Sequence, residues 1–304
     1  MPQQKGKIRP LDAAILLACA LCAVLLFHRA REASSFTWDW SNFLGFLVFR
    51  NPETGAISPG RLALGLFTTV KLSLWAIILA FILGVFFGLL RAGRDPFGRM
   101  VGRLYVACMR NTPILVLVFL FYYFLSSQAL PANAVAELAR KLPALPLRIL
   151  SAIAAPPGAL AAFLSAVITL AAYEGAYIAE IVRAGIQSIG TGQWEASHAL
   201  GLSYSQTLRH IIGPQALARI IPPLTGQFIS TIKDSSIMSV ISIAELTFQG
   251  SELTAATHRG PNIAFEVWVT VAALYMILTF TCSLASKKAE TFLSHKLPAF
   301  KGNG

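Results

Sequence analysis

An all-α, polytopic membrane protein of about six transmembrane helices is the fold class this sequence predicts, on three observations. Hydrophobic residues make up 55% of the 304 and charged residues only 13%, about half the charged share of an ordinary soluble domain. The apolar residues come in long blocks, near the roughly 20 residues that cross about 30 Å of hydrocarbon. The Lys and Arg residues behind the net charge of +11 lie in the gaps between those blocks, with no dense stripe of interleaved aromatics. That distribution is membrane topology and argues against nucleic acid as a partner.

Taken in order, Lys5, Lys7 and Arg9 followed by Leu11 to Phe27 have the layout of a signal peptide, but no clear small-x-small site precedes the Arg29 to Glu32 cluster. The run is read as a retained first span. Phe36 to Phe49, rich in Trp and Phe, predicts an interfacial element. Further spans are expected at about Leu62 to Leu90, Ile114 to Leu130, Ala159 to Ile181, Ala216 to Ile243 and Ile263 to Ser286. Between the third and fourth, Pro131 to Pro157 holds five prolines around the amphipathic run Val135 to Leu142, an external insertion or interfacial helix. The fifth span carries Pro222-Pro223 and Lys233-Asp234, so it is expected to be broken, tilted or faced partly by protein. The chain thus divides into an N-terminal helix with an external segment (1–60), a core (61–290) with an insertion (131–157) and a loop (188–214), and a tail (291–304).

Basic clusters in the N-terminal tail, at Arg91 to Arg103, at Arg183 to Arg219 and from Lys287 onward fall on one side of this layout. Placing them in the cytoplasm puts both termini inside. Of the cysteines, Cys19 and Cys22 stand at Cys-x-x-Cys spacing but within an apolar block, and Cys108 and Cys282 stand apart with no second such pair, so no metal is expected.

The most informative segment is Ser188 to Pro214. Thr191 is placed to cap a short helix running to Leu200, with Glu195 in its first turn; Gly201 supplies a left-handed C-terminal position, Ser203 and Gln206 make a capping box, and Gly213-Pro214 stops the second helix. Trp194, Ala196, Ala199, Leu200 and Leu202 give this knob an apolar surface for a partner protein.

Glu195-Ala196-Ser197, Gly201, Ile211 and Pro214 resemble, in spacing, the Glu-Ala-Ala loop by which permeases of ATP-binding-cassette importers engage their ATPases. Ser197 stands for the second Ala of that pattern and Gly213 for its usual Leu. Gly65 to Thr69 with Leu72-Ser73, Arg110-Asn111-Thr112-Pro113, Tyr177 to Ile181 with Arg183-Ala184-Gly185, and Lys233-Asp234-Ser235-Ser236 are similar to the polar amino-acid branch of the family. The resemblance covers about Gly65 to Ser286. It implies a bacterial inner-membrane subunit that dimerises with an identical or related permease, two ATPase subunits that bind ATP and Mg, an external solute-binding protein, and a polar amino acid as cargo.

The residues agree with that division of labour, because no Gly-x-x-x-x-Gly-Lys-Ser/Thr occurs; at Gly93 to Met100 the Lys and the hydroxyl are both missing. ATP hydrolysis belongs to another chain, and this chain itself is expected to bind no cofactor.

Ionisable residues in spans default to a protein interior or a water-filled path. Glu174, Glu180, Lys233 and Asp234 qualify. Glu180 has two readings, an i,i+3 pair with Arg183 or a place in the solute path. Lys233 and Asp234 share no helix face, so tertiary pairing stands against substrate contact. In Arg110-Asn111-Thr112-Pro113, Thr or Asn caps a helix and Arg snorkels, or Asn111 and Thr112 line the path along with Tyr177 and Ser235. Gly84 and Gly88 read as a close-packing pair. Two rivals remain: an ion-coupled secondary transporter, which would need midplane carboxylates and inverted repeats, and a membrane enzyme, which would need a nucleophile with its base or a metal cluster.

Overall fold

The computed structural model describes residues 10–33, 43–50, 55–124, 128–129, 131–256 and 261–296. The basic N-terminal tail, most of the aromatic segment before Phe43, and Lys301 lie outside them. Helix α1 (Pro10–Ala33) covers the expected first span. A short helix α2 (Phe43–Leu47) leads into an antiparallel pair, β1 (Val48–Arg50) and β2 (Ile57–Pro59), with Val48 opposite Pro59. This hairpin is an addition to the all-helical expectation.

Helix α3 (Arg61–Ala92) is 32 residues long and buries a stripe that includes Leu62, Gly65, Thr69, Leu72, Ala76, Ala80, Gly84 and Gly88. The three-to-four spacing places them on one face, while Leu74, Phe81, Ile82 and Phe86 are exposed on the rest of the helix. In a membrane that apolar surface meets lipid or another apolar chain. The stripe packs along α8 (Pro157–Gln187), the most buried of the long helices. A Cβ at Gly84 would lie 2.4 Å from the Ile178 side chain, and one at Gly88 2.7 Å from Val182, so the small-residue pair does bring two backbones close.

The third expected span is different. The basic stretch after Ala92 is helix α4 (Pro96–Asn111), capped by Asp95 and burying Gly98, Gly102 and Val106 while Arg103 faces out. It is followed by α5 (Ile114–Phe124), bent from it by 108°. Its eleven residues reach about 16 Å, and part of the expected span beyond Phe124 lies outside the described residues; Thr112-Pro113 interrupts the helix, since the residue before proline is driven out of the helical region. The insertion folds as α6 (Ala132–Arg140) and α7 (Ala144–Ile153), with Ala136 and Ala139 of α6 buried. The Trp75 indole of α3 donates to the Ile153 carbonyl at 2.9 Å.

After α8 come α9 (Thr191–Ala199) and α10 (Tyr204–Thr207), which continues through a π-helical turn (Leu208–Ile212) into α11 (Gly213–Asp234). Gly213-Pro214 therefore does not stop the second helix. Pro214 lacks an N–H, and the widened turn lets the Gly213 amide bond to the Leu208 carbonyl ahead of it. Pro222-Pro223 does not break α11 either. The break comes at its end, where Ser235–Ile241 tightens to a 3-10 helix and Ser242 takes φ 60°. Helices α12 (Leu246–Ala256) and α13 (Pro261–Lys296) complete the fold. Among the described residues three helices are long and apolar enough to cross a membrane, in α3, α8 and α13, or four with the bent α4–α5 pair.

Candidate functional site

At one end of the bundle, α9, α10 and the α3–α4 turn form a single knob. Gly190, rather than Thr191, occupies the N-cap of α9, and Glu195 is therefore in the second turn. Trp194 stacks on Tyr204 at 5.7 Å between ring centroids. Arg94 covers Tyr204 at 5.0 Å, and its guanidinium donates to His198 Nε2 at 2.7 Å. The Tyr204 hydroxyl donates to the Ala92 carbonyl at 3.3 Å. Burial pushes that phenol above its ordinary range, and Arg94 opposes the shift.

Gly201 has φ 73°, its amide bonds to the His198 carbonyl, and the Leu202 amide bonds to that of Ser197 at 3.1 Å. This is the left-handed helix end that the glycine implied. The Ser203–Gln206 capping box is present in both directions. Glu195, Ala196 and Leu200 are exposed.

Both departures from the loop pattern have local explanations. Ser197 is buried and donates its hydroxyl to the Gln193 carbonyl at 2.7 Å, so the extra polar atom is satisfied within the helix. A Cβ at Gly213 would lie 2.6 Å from the Leu208 carbonyl oxygen. Leucine there would collide with the carbonyl of the π turn. Ile211 packs against the buried cluster that includes Ile189, Ile212 and Ala216, and Pro214 is exposed.

Inside the bundle the polar residues separate into groups. Glu180 accepts from Arg183 on its own helix, with one bond at 3.1 Å, and from Arg91 on α3. The i,i+3 pair is thus part of a three-residue ion network. Asn111 and Tyr177 line a cavity of about 300 Å³ with Val106, Ala107 and Arg110. The Arg110 guanidinium lies 4.9 Å from the Tyr177 ring centroid. Thr112 turns back to donate to the Cys108 carbonyl at 2.8 Å, closing α4 rather than capping α5. Ser235 is buried and donates to the Ile232 carbonyl. Lys233 is exposed and lines another cavity, of about 290 Å³, with Ser236, Thr247, Trp268 and Tyr275. Its neighbour Asp234 faces Glu174 instead.

Glu245 and Thr69 were not among the residues the sequence singled out for a role. The Glu245 carboxylate is fully buried and caps α12, accepting from the Thr247 amide at 3.0 Å, the Phe248 amide at 2.7 Å and the Tyr275 hydroxyl at 2.7 Å. Glutamate lies outside the usual Ser, Thr, Asp and Asn capping set, which hides it from sequence reading. Thr69 accepts the Leu246 amide at 3.1 Å, and a Cβ at Gly65 would lie 2.9 Å from the Leu246 Cα. The Gly65 to Thr69 segment is therefore the seat of α12 on α3.

Comparison with known proteins agrees with this geometry. Residues 76–289 match the family described as "Binding-protein-dependent transport system inner membrane component". The glutamine transport system permease protein GlnP of Escherichia coli K12 is 36% identical over 224 residues, covering 72% of this chain and 89% of that protein. The probable glutamine ABC transporter permease protein GlnM of Bacillus subtilis is 32% identical over 226 residues, 74% of this chain and 90% of that one. A crystal structure of an amino acid ABC transporter with histidines superposes with TM-score 0.62 and 29% identity, over 84% of this chain and 99% of the other. With a family match across most of its length and an exposed helix–glycine–helix knob at one end of the bundle, the chain belongs to the inner-membrane permease components of binding-protein-dependent transport systems, as a multi-pass, non-catalytic subunit.

Proposed function

We propose that this chain forms, with a second identical or related permease, the translocation path for a polar L-amino acid, moved by alternating access as two ATPase subunits close and open beneath it. The cargo is delivered by an external binding protein, and both termini of the permease face the cytoplasm. ATP and Mg are held by the ATPases. Similarity to glutamine permeases supports the amino-acid cargo.

The observation that carries the coupling role is the double attachment of the knob. Glu195, Ala196 and Leu200 are presented outward, while Trp194, His198 and Tyr204 are tied through Arg94 and Ala92 to the turn joining α3 to α4. A displacement applied to α9 is thereby delivered to the two helices packed on α8. The insertion and the knob lie at opposite ends of α8, separated by roughly 46 Å of helix at 1.5 Å per residue, which supports opposite membrane faces for them.

Reconstitution of the permease with its ATPase in liposomes, with binding protein outside, tests this reading. Uptake should require ATP and survive a protonophore. Uptake that runs without ATP and collapses with the ion gradient would establish the secondary-transporter alternative.

A further inference from the structure

We infer that α7 lies along the phospholipid surface of the leaflet opposite the knob, with its outer apolar row at the acyl-chain boundary and Lys141 and Arg148 against lipid phosphates. This surface goes beyond the transport reading and does not depend on which solute moves. The ten residues of α7 include one charge, Arg148, and one hydroxyl, which Ser151 donates to the Leu147 carbonyl at 2.8 Å. One face is covered within the chain, where Leu150 packs against the buried cluster that holds Leu72, Val118 and Ala154. On the other face Leu145, Ile149 and Ile153, four residues apart, project together. They are 69%, 52% and 47% exposed. A helix that is apolar on both sides needs an apolar medium on both. Helix α6 makes no such demand: it turns Asn133, Glu137 and Arg140 outward, with Leu138 the one large apolar side chain among them.

Continuity with the lipid-facing side of the bundle is the first reason to fill that place with phospholipid. The last turn of α7 is fixed to α3 by the Trp75 indole, which donates to the Ile153 carbonyl at 2.9 Å, and Trp75 stands between the exposed Leu74 and Ile78. The apolar row of α7 therefore prolongs the exposed apolar surface of α3. Helix α5 adds a second sign at the same cluster. Its Val118 is buried there and Tyr122 packs against it, while Phe119, Tyr123 and Phe124 are exposed. Together with Trp75 these rings make the kind of aromatic belt that collects at headgroup level.

Charge is the third reason. The insertion carries Arg140, Lys141 and Arg148 against the single acid Glu137, and all three basic residues are exposed. Arg148 adjoins Ile149, so its long stem can follow the apolar row while the guanidinium stays at the level of the phosphates. A basic residue beside an apolar helix face is the pattern of helices that lie in the membrane interface. A soluble protein that came and went would leave Leu145, Ile149 and Ile153 in water between visits, and a contiguous apolar patch in water is unfavourable. The bilayer covers them permanently.

Nitroxide labels on single cysteines, in a background lacking Cys19, Cys22, Cys108 and Cys282, read this in the permease–ATPase complex reconstituted into phosphatidylglycerol-containing vesicles. Labels at Ile149→Cys and Ile153→Cys should collide freely with oxygen and about fivefold less with a water-soluble nickel chelate than a label at Glu137→Cys on α6. Should one variant fail to assemble, the other decides. Adding Lys141→Glu and Arg148→Glu should raise chelate collisions at Ile153→Cys at least twofold, as the helix lifts from the phosphates. Chelate access at 149 and 153 equal to that at 137 would overturn the inference, and so would unchanged access after the charge reversal. Exclusion that appears only when an external binding protein is added would give the face to that protein instead. Spin–spin broadening at both positions would give it to a second permease. Either result overturns the lipid contact while leaving ATP-driven uptake, and the transport reading, untouched.

Discussion

Gly201 shows how one residue can be neutral for packing and decisive for direction. Nothing lies within 4 Å of where its Cβ would be, so the constraint is its φ of 73°. A β-branched side chain there is strained by about 1 to 3 kcal/mol, and the backbone relieves the strain by turning α10 away from α9. Gly201→Val should therefore leave the protein in the membrane while uptake is lost and the ATPase dissociates during purification, or stays bound with substrate no longer stimulating hydrolysis. A variant that transports at the unmodified rate would remove the coupling role from this loop. Glu245 is the opposite case, a residue held by many partners. Glu245→Ala removes both capping bonds at the start of α12 and the acceptor of Tyr275, and should cost roughly 1 to 2 kcal/mol, read as a lowered melting temperature in detergent. An unchanged melting curve would show that water replaces the carboxylate.

Between elements, the contact that matters most for coupling is a cluster of four side chains from three segments: Arg94 from the α3–α4 turn, Trp194 and His198 from α9, and Tyr204 from α10. Arg94 is exposed and its cation–π contact is modest, on the order of 0.5 to 1 kcal/mol, so its removal should spare the fold. Arg94→Ala is expected to keep the ATPase bound and basal hydrolysis intact while substrate stimulation falls severalfold. His198→Ala in the same background should add little, because both changes cut one link. Full additivity of the two would mean they act separately. The π turn before α11 has a related logic. Glycine at 213 and proline at 214 are compatible only because the turn is widened, and the glycine leaves room for the Leu208 carbonyl.

Across the molecule, the ends of α8 organise everything else: the insertion packs near its start and the knob follows its end. Topology can be read with single cysteines placed in a background where Cys19, Cys22, Cys108 and Cys282 are replaced. A cysteine at Leu200, which is 78% exposed, should react only with reagent added from the cytoplasmic side, and one at Leu145 in α7 only from outside. The reverse pattern would invert the molecule and take the knob away from any cytoplasmic ATPase.

Composition and periodicity alone determined the membrane class, the positions of the long spans in α3, α8 and α13, the α9–Gly201–α10 knob and its capping box, because each depends on local chemistry and repeat length. The family, too, was legible, since its loop motif is contiguous. Tertiary structure decided the rest. Helix α4 was missed because its basic face made it look like a cytoplasmic loop, and α11 runs through two prolines that local rules expected to interrupt it. The contacts of Glu174 with Gln227 and Asp234, of Glu180 with Arg91, and of Glu245 with Tyr275 join residues from 30 to 89 positions apart. No periodicity encodes such a meeting: a buried carboxylate takes whichever partner the packed helices bring to it, and that is fixed only when the backbones close together.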